Sequence, residues 1–276
     1  MKVLVLDRDR DACDQLQSIL TGIKADVTFE PIKNAAMELV KQNQYDVIFY
    51  DPSPQNEMRS FIMGIRRSLN AFPPILILSH QLDRKQVLAA GGNDLVLKPL
   101  DRDDVIKKAQ AGERISKIAR LMADEATDFP SKEGIIAKSA FNQLFITCLD
   151  RSDRHAETSY LIFINVENLA DIEKADGPDE AKKVAYNLRR TISRTRRTSD
   201  IAGQTKDAEF SILLLPPSRD NAKEDEHFLA ANRIVETLKS NVDIISTAPT
   251  KAQLKVWLLE IPSGNILAEH TVAPSA

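Results

Sequence analysis

The stretch KVLVLDRD, residues 2–9, decides how the first half of the chain is read. Residues Val3, Leu4, Val5 and Leu6 are apolar without alternation, and an acid follows at once at Asp7. A strand with one face in water alternates apolar and polar residues, whereas a strand covered on both faces does not. The run therefore predicts a central parallel strand with helices on both sides. DACDQLQSILTGI (11–23) follows at helical spacing, with Ala12, Leu16, Ile19 and Leu20 on one face. DVTFE, AAMELVKQ, YDVIFYD, MRSFIMGIRRSL, PILILS, RKQVLAAG and DLVLKPL continue the alternation to about residue 100. Five such units predict a five-stranded, doubly wound α/β sheet, whose functional crevice lies at the carboxyl ends of its strands.

The 276 residues suit two domains better than one, and 43% hydrophobic residues suffice for two cores. A net charge of −3 gives no global reason to expect a nucleic-acid partner. No apolar run approaches the ~20 residues that cross a bilayer. The chain opens on a strand and not on a signal-peptide pattern, so a cytoplasmic protein without a membrane partner is expected. Cys13 and Cys148 are far apart and read as buried thiols. There is no CxxC, HExxH, Walker or GxSxG pattern, and His80, His155, His227 and His270 are scattered, so no dedicated metal site is expected.

Residues 101–126 read as one long helix capped by Asp101, with Val105, Ala109, Ile115, Ile118 and Leu121 as its stripe. It outlasts what a closing helix needs and is read as a stalk. TDFPSKEG breaks it at Pro130 and Gly134. The expected domains are therefore 1–122, a linker at 123–134, and 135–276. The second part reads as a helix (135–150), a strand SYLIFINV, a helix from Pro178, and a hairpin of DIAGQ and EFSILLLP. A polar loop PPSRDNAKEDE, a helix HFLAANRIVETLKS and a strand LKVWLLEI follow. This mixture predicts a second α/β or α+β domain. The closing AEHTVAPSA reads as frayed.

Asp7, Asp9, Asp51, Ser79 and Lys98 all fall at carboxyl ends of expected strands and would meet in one crevice. An aspartate beside a lysine and a hydroxyl can accept a phosphoryl group, the lysine and hydroxyl holding its oxygens. Here the chain resembles the response-regulator receiver family over about residues 1–120. VLVLDRD, YDVIFYD, PILILS and LVLKP stand in that family's order, which implies a flavodoxin-like fold and Asp51 as the phosphoacceptor. The resemblance departs at Arg8, where the family has its direct Mg²⁺ ligand, and at Leu95 and His80. A guanidinium only donates and cannot ligate Mg²⁺. What stays open is a weak Mg²⁺ site at Asp7 and Asp51, a receiver kept for docking or dimerisation, or Arg8 paired with Asp51 as a fixed state.

The second part resembles the GGDEF (diguanylate cyclase) family over about residues 130–262, through LIFINVENLADI and EFSILLLP. Where that family has its signature, this chain has Lys206-Asp207-Ala208-Glu209-Phe210. Lys206 and Asp207 crowd a place where glycines admit a nucleotide, Ala208 replaces a metal-binding carboxylate, and Asn165 replaces another. Glu173 and Lys182 stand at the guanine-reading positions. The resemblance so departed from implies no catalytic residues and no cyclase activity. Upstream, Arg197-Thr198-Ser199-Asp200 matches the family's Arg-x-x-Asp site for cyclic di-GMP, and Arg233 matches an arginine from the following helix. Arginine forks onto guanine or phosphate, and a carboxylate accepts from the guanine edge.

The function expected is thus an inactive signalling protein without cofactor. It binds cyclic di-GMP at Arg197, Asp200 and Arg233 and regulates a partner protein, with homodimerisation also possible. The alternatives are a response regulator driven by phosphorylation at Asp51 and a pure interaction scaffold. A solvated basic helix end remains the plain reading of Arg194 and Arg196.

Overall fold

The computed structural model describes residues 1–53, 57–68, 73–124, 129–155, 157–197, 199–214, 226–247 and 249–273. They form two compact units. One is Met1–Leu121 with Thr147–Thr158 and Ile261–Asn265; the other is Met122–Ile146 with Ser159–Glu260 and Ile266–Ala276. No helix among the described residues is long and apolar enough to cross a membrane.

The first unit alternates strictly: β1 (Lys2–Leu6), α1 (Arg10–Thr21), β2 (Asp26–Phe29), α2 (Lys33–Gln42), β3 (Val47–Tyr50), α3 (Met58–Ser68), β4 (Ile75–Ser79), α4 (Arg84–Ala89), β5 (Asp94–Leu97) and α5 (Arg102–Ala123). Its strands are all parallel in the order β2-β1-β3-β4-β5. Unalternated apolar strands have the consequence expected of them. Val3, Val5, Val47, Phe49, Leu76, Leu78 and Val96 pack with Leu16 and Leu20 of α1 and Val105 and Ala109 of α5. Their neighbours Leu4, Ile48, Ile75 and Ile77 pack with Ala36, Val40, Ile62, Ile65 and Val87 on the other face. Successive residues of one strand thus feed two cores, which requires helices on both sides. Asp9 caps α1 by accepting from the Asp11 and Ala12 N–H groups, and Asp101 caps α5 through the Asp104 N–H at 2.8 Å. Residues 125 and 126 of the long helix expected at 101–126 lie outside the described residues, as do residues 216–225 of the polar loop.

The second unit contains the first half of α6 (Lys138–His155), then β6 (Ser159–Val166), α7 (Leu169–Asp176), α8 (Pro178–Thr195), β7 (Ile201–Lys206), β8 (Glu209–Leu214), α9 (Glu226–Ile245), β9 (Leu254–Ile261) and β10 (Ile266–Val272). The sheet order is β10-β9-β6-β8-β7, with β6/β8, β8/β7 and β9/β10 antiparallel. Val184, Leu188 and Ile192 of α8 and Ile234 and Leu238 of α9 bury against Ile162, Ile164, Phe210 and Ile212. Gly177, at φ 94°, turns the chain from α7 into α8, and Pro178 opens the new helix where its missing N–H costs nothing.

Two readings are corrected. The segment taken as frayed from Ala268 is in part an ordered strand: β10 pairs with β9 from Ile266↔Leu259 to Val272↔Leu254. Its alternation is obscured because Glu269 and His270 lie on an edge strand, where polar residues are tolerated. The segment between the expected strand SYLIFINV and the helix from Pro178, given no element in the sequence reading, contains the eight-residue helix α7.

Candidate functional site

At the carboxyl ends of β1, β3, β4 and β5 a cavity of ≈ 440 Å³ opens. Its polar lining comes from Asp7, Arg8 and Asp9 after β1, Lys33 at the start of α2, Tyr50, Asp51 and Ser53 around the end of β3, His80 after β4 and Lys98 after β5. Lys98 Nζ stands 2.6 Å from Asp7 Oδ2, 2.6 Å from Asp51 Oδ2 and 3.8 Å from Asp9 Oδ2. Three of the acids expected to converge do so, on a lysine that is itself buried. Burial pulls the Lys98 pKa down, but the hydrogen bonds and charges of Asp51 and Asp7 more than offset this and hold it above the ordinary lysine value.

The remaining carboxylate oxygens are also engaged. Asp7 Oδ1 accepts from the Asp9 N–H at 2.9 Å, Asp51 Oδ1 from the Ser53 N–H at 3.0 Å, and Asp9 Oδ1 from α1. Ser79, expected to face the cavity, is not among its lining residues. Its hydroxyl oxygen instead accepts from the Gln81 and Leu82 N–H groups at 3.1 and 3.2 Å and fixes the loop into α4. Arg8 is exposed and forms no ion pair with Asp51, whose cation is Lys98. His80 Nδ1 lies 3.1 Å from the Lys98 carbonyl oxygen, so the tautomer that donates there carries its proton on Nδ1.

Magnesium would need these same oxygens. It binds oxygen in tight octahedral geometry, and here an ammonium stands between the two aspartates and the neighbouring Arg8 guanidinium can only donate. The residues as arranged do not fit the ion. No group of three or more His, Cys, Asp or Glu side chains among the described residues is arranged to hold a metal. Sequence reasoning missed Lys33, Tyr50 and Ser53. The signal was available in Tyr50 and Ser53, which flank Asp51 at a strand end.

In the second unit the chain turns from α8 into β7 through Arg197–Asp200. The Asp200 N–H donates to the Arg197 carbonyl at 3.0 Å, and Asp200 Oδ2 accepts from the Arg197 N–H at 2.9 Å. The same oxygen accepts from Arg233 Nη2 of α9 at 3.1 Å. Asp200 is buried, Arg233 half-buried and the Arg197 side chain exposed. Arg196 braces the turn by donating from Nη1 to the carbonyls of Arg197 and Asp200. The structure therefore brings Asp200 and Arg233 into contact, with Arg197 joined to them through its backbone. Thr198 lies outside the described residues.

At the other end of β7, the hairpin tip carries Lys206 to Glu209. Glu209 is buried, takes a hydrogen bond from Thr205 Oγ1 at 2.8 Å, and lies 3.6 Å from the Lys206 ammonium. It pairs in register with Asn165 of β6. Gln204 closes the tip by donating to the carbonyls of Lys206 and Asp207. Of the tip's two carboxylates, Asp207 is exposed and Glu209 is already joined to a lysine and a threonine. Glu173 lies on α7 and Lys182 on α8.

No family model and no curated protein matches the chain. Solved structures match in two parts. A two-component response regulator from Clostridium difficile is similar at 24% identity over 41% of this chain and 96% of its own, with a TM-score of 0.37. The receiver domain of the Francisella response regulator 1452 is similar at 26% identity over the same shares, 41% and 96%, with a TM-score of 0.37. The GGDEF domain of PA1120 (TpbB or YfiN) from Pseudomonas aeruginosa is similar at 20% identity over 45% of this chain and 70% of its own, with a TM-score of 0.35. The chain is thus similar to a receiver domain in its first part and to a GGDEF domain in its second.

Proposed function

We propose that this chain is a signalling protein without cyclase activity, which binds cyclic di-GMP at the turn before β7 and relays its occupancy to a partner protein. The observation that carries the reading is the Asp200–Arg233 pair, joined across the second unit at 3.1 Å beside Arg197. Both bonds to Asp200 fall on Oδ2, which leaves Oδ1 without a hydrogen bond among the described residues. That oxygen suits the N1–H and N2–H edge of a guanine. The guanidinium of Arg233 suits guanine O6 and N7 or a phosphate oxygen, and Arg197 stands at the solvent side to meet the second. The ligand is a dianion with two guanines, so two arginines and one carboxylate match its charge and its edges. Loss of turnover is supported by the tip: Ala208 and Asn165 carry no carboxylate, Glu209 is joined to Lys206, and no group of three or more His, Cys, Asp or Glu among the described residues could hold a metal.

Titration calorimetry of the full chain with cyclic di-GMP tests this, beside Arg197→Ala and Arg233→Ala. Saturable heat from the unaltered chain and its loss in both variants is expected. Absence of heat from the unaltered chain would sink the reading. Incubation with GTP and Mg²⁺ or Mn²⁺ should yield no dinucleotide.

Phosphorylation at Asp51 is the second reading, favoured by one observation, the 2.6 Å contact between Lys98 and Asp51. A gain of one phosphoryl group in the intact mass, after incubation with a small phosphodonor and Mg²⁺, would support it.

A further inference from the structure

We propose that the exposed face of α8 is a docking surface for an acidic amphipathic helix of a partner protein, held by Arg190 and Arg194 with Tyr186 and Ile244 as its apolar contacts. The surface lies outside the Arg197–Asp200 turn and does not depend on the dinucleotide reading.

From Lys182 to Arg197 the chain carries seven cations and no acid, although its net charge is −3. Much of this charge is answered. Lys182 and Lys183 pair with Asp179 and Glu180 of the first turn, Arg189 pairs with Glu133 at 3.4 Å, and Arg196 donates to the turn that follows. Arg190 and Arg194 are exposed, and neither has an ion pair or hydrogen bond among the described residues. They stand at i and i+4, where like charges on neighbouring turns repel and weaken a helix. The pull of a helix C-terminus on cations accounts for Arg194 in the last turn and not for Arg190, one turn earlier. On α9, which packs against α8, Glu236 turns instead to Lys239 at 2.8 Å and Asp243 to Lys251 at 3.6 Å.

Exposed arginines are ordinarily satisfied by water, so the pair alone would signify nothing. The second observation is apolar. Tyr186, one turn before Arg190, is 40% exposed, and Ile244 of α9 is 61% exposed. Asn187 Nδ2 donates to the Ile244 carbonyl at 3.0 Å, so that residue borders α8. Cations beside exposed apolar side chains could meet a membrane, a nucleic acid or a protein, and the first two fit badly here. A membrane takes a helix by its apolar face, and in α8 that face, with Val184, Leu188 and Ile192, is buried in the core. A single-stranded nucleic acid stacks its bases on open aromatic rings, whereas the Tyr186 ring lies 5.2 and 5.8 Å from the guanidiniums of Arg189 and Arg190. An acidic helix answers both features. Its carboxylates, one turn apart, match Arg190 and Arg194, which bind them as planar forks, and its apolar side chains cover Tyr186 and Ile244.

Fluorescence anisotropy with the full chain tests this. The probe is a labelled helical peptide of about 20 residues, long enough to span α8, with glutamate on successive turns and leucine beside it. Saturable binding that weakens as sodium chloride is raised is expected. Arg190→Glu combined with Arg194→Glu should lower the affinity roughly tenfold or more, because like charges then face one another. Arg190→Gln combined with Arg194→Gln removes the charge while keeping good helix formers and should also lose affinity, as should Tyr186→Ala. Lys107→Glu, which alters an exposed cation of the first unit, should bind as the unaltered chain. Absence of binding, equal binding of the peptide with glutamine in place of glutamate, or undiminished affinity in any α8 variant would overturn the proposal. Tighter binding to phosphatidylglycerol vesicles or to a single-stranded oligonucleotide would overturn it too.

Discussion

Asp7 and Asp51 share one cation: each presents a carboxylate oxygen 2.6 Å from the Lys98 ammonium, although they lie on different strands. The geometry ties the ends of β1, β3 and β5 together. It also makes the lysine more than a surface ornament, because its side chain and that of Asp7 are almost fully enclosed.

Lys98→Met should therefore destabilise the first unit by about 3 kcal/mol, the cost of leaving buried carboxylates without their counter-charge. Urea unfolding at pH 7 measures this. The loss should shrink in acid, where the orphaned carboxylates can take up protons. A variant as stable as the parent at pH 7 would contradict the ion-pair assignment. In the parent chain the Lys98 pKa is raised on folding, so its contribution is complete below the ordinary lysine value. It disappears as pH climbs through the raised one.

Cys13 gives a prediction about reactivity. Burial first, and Asp7 next, push its thiol from 9.0 to about 11, while its Sγ–H points to the Asp7 carbonyl at 3.7 Å. At pH 8 the thiolate is then roughly a thousandth of the population. Iodoacetamide labelling followed by peptide mapping should find Cys13 slow at pH 8 and accelerating towards pH 11. Because folding raises this pKa, the stability it contributes is present below about pH 9 and fades through pH 11. Rapid labelling of Cys13 at pH 8 in the folded chain would refute the assignment.

Asp200 and Arg197 should separate stability from binding. Asp200→Ala leaves the Arg197 N–H and Arg233 without their acceptor and should cost about 1–3 kcal/mol. Arg197→Ala truncates an exposed side chain and should change stability by no more than about 0.5 kcal/mol. Both should abolish dinucleotide heat. An Arg197→Ala chain that unfolds early would show that this arginine serves the fold.

Gly203 is fixed by its neighbour. A methyl group there would stand 2.6 Å from Cγ and Cδ2 of Phe141, which is buried in the same unit. Gly203→Ala should cost about 1–3 kcal/mol from overpacking, and Phe141→Leu in the same chain should recover part of it. Thermal unfolding of the two single variants and the double variant checks the coupling; simple additivity would disprove it.

The first unit was legible because a doubly covered strand has an unmistakable pattern, and Val3–Leu6, Val47–Tyr50 and Ile75–Ser79 all carry it. The convergence of Asp7, Asp51 and Lys98 followed from topology alone. What could not be read was the use each polar atom makes of its neighbours. Ser79 stands at the expected strand end, yet its oxygen is taken up by two loop N–H groups. Lys33 entered the cavity lining from a position with no chemical signature in the chain order, whereas Tyr50 stands directly beside Asp51. In the second unit, β10 escaped notice because an edge strand tolerates Glu269 and His270, and polarity there mimics a disordered tail. The Asp200–Arg233 contact spans 33 residues, so spacing could suggest it and only coordinates could show it.

The hairpin has a final implication. Strand β7 has six residues, which puts about 17 Å between the Arg197–Asp200 bend and the Lys206–Glu209 tip. At that remove, changes at one extremity are insulated from the other. Substitutions at the tip should therefore leave the hydrogen bonds of the bend in place, and substitutions at the bend should leave those of the tip.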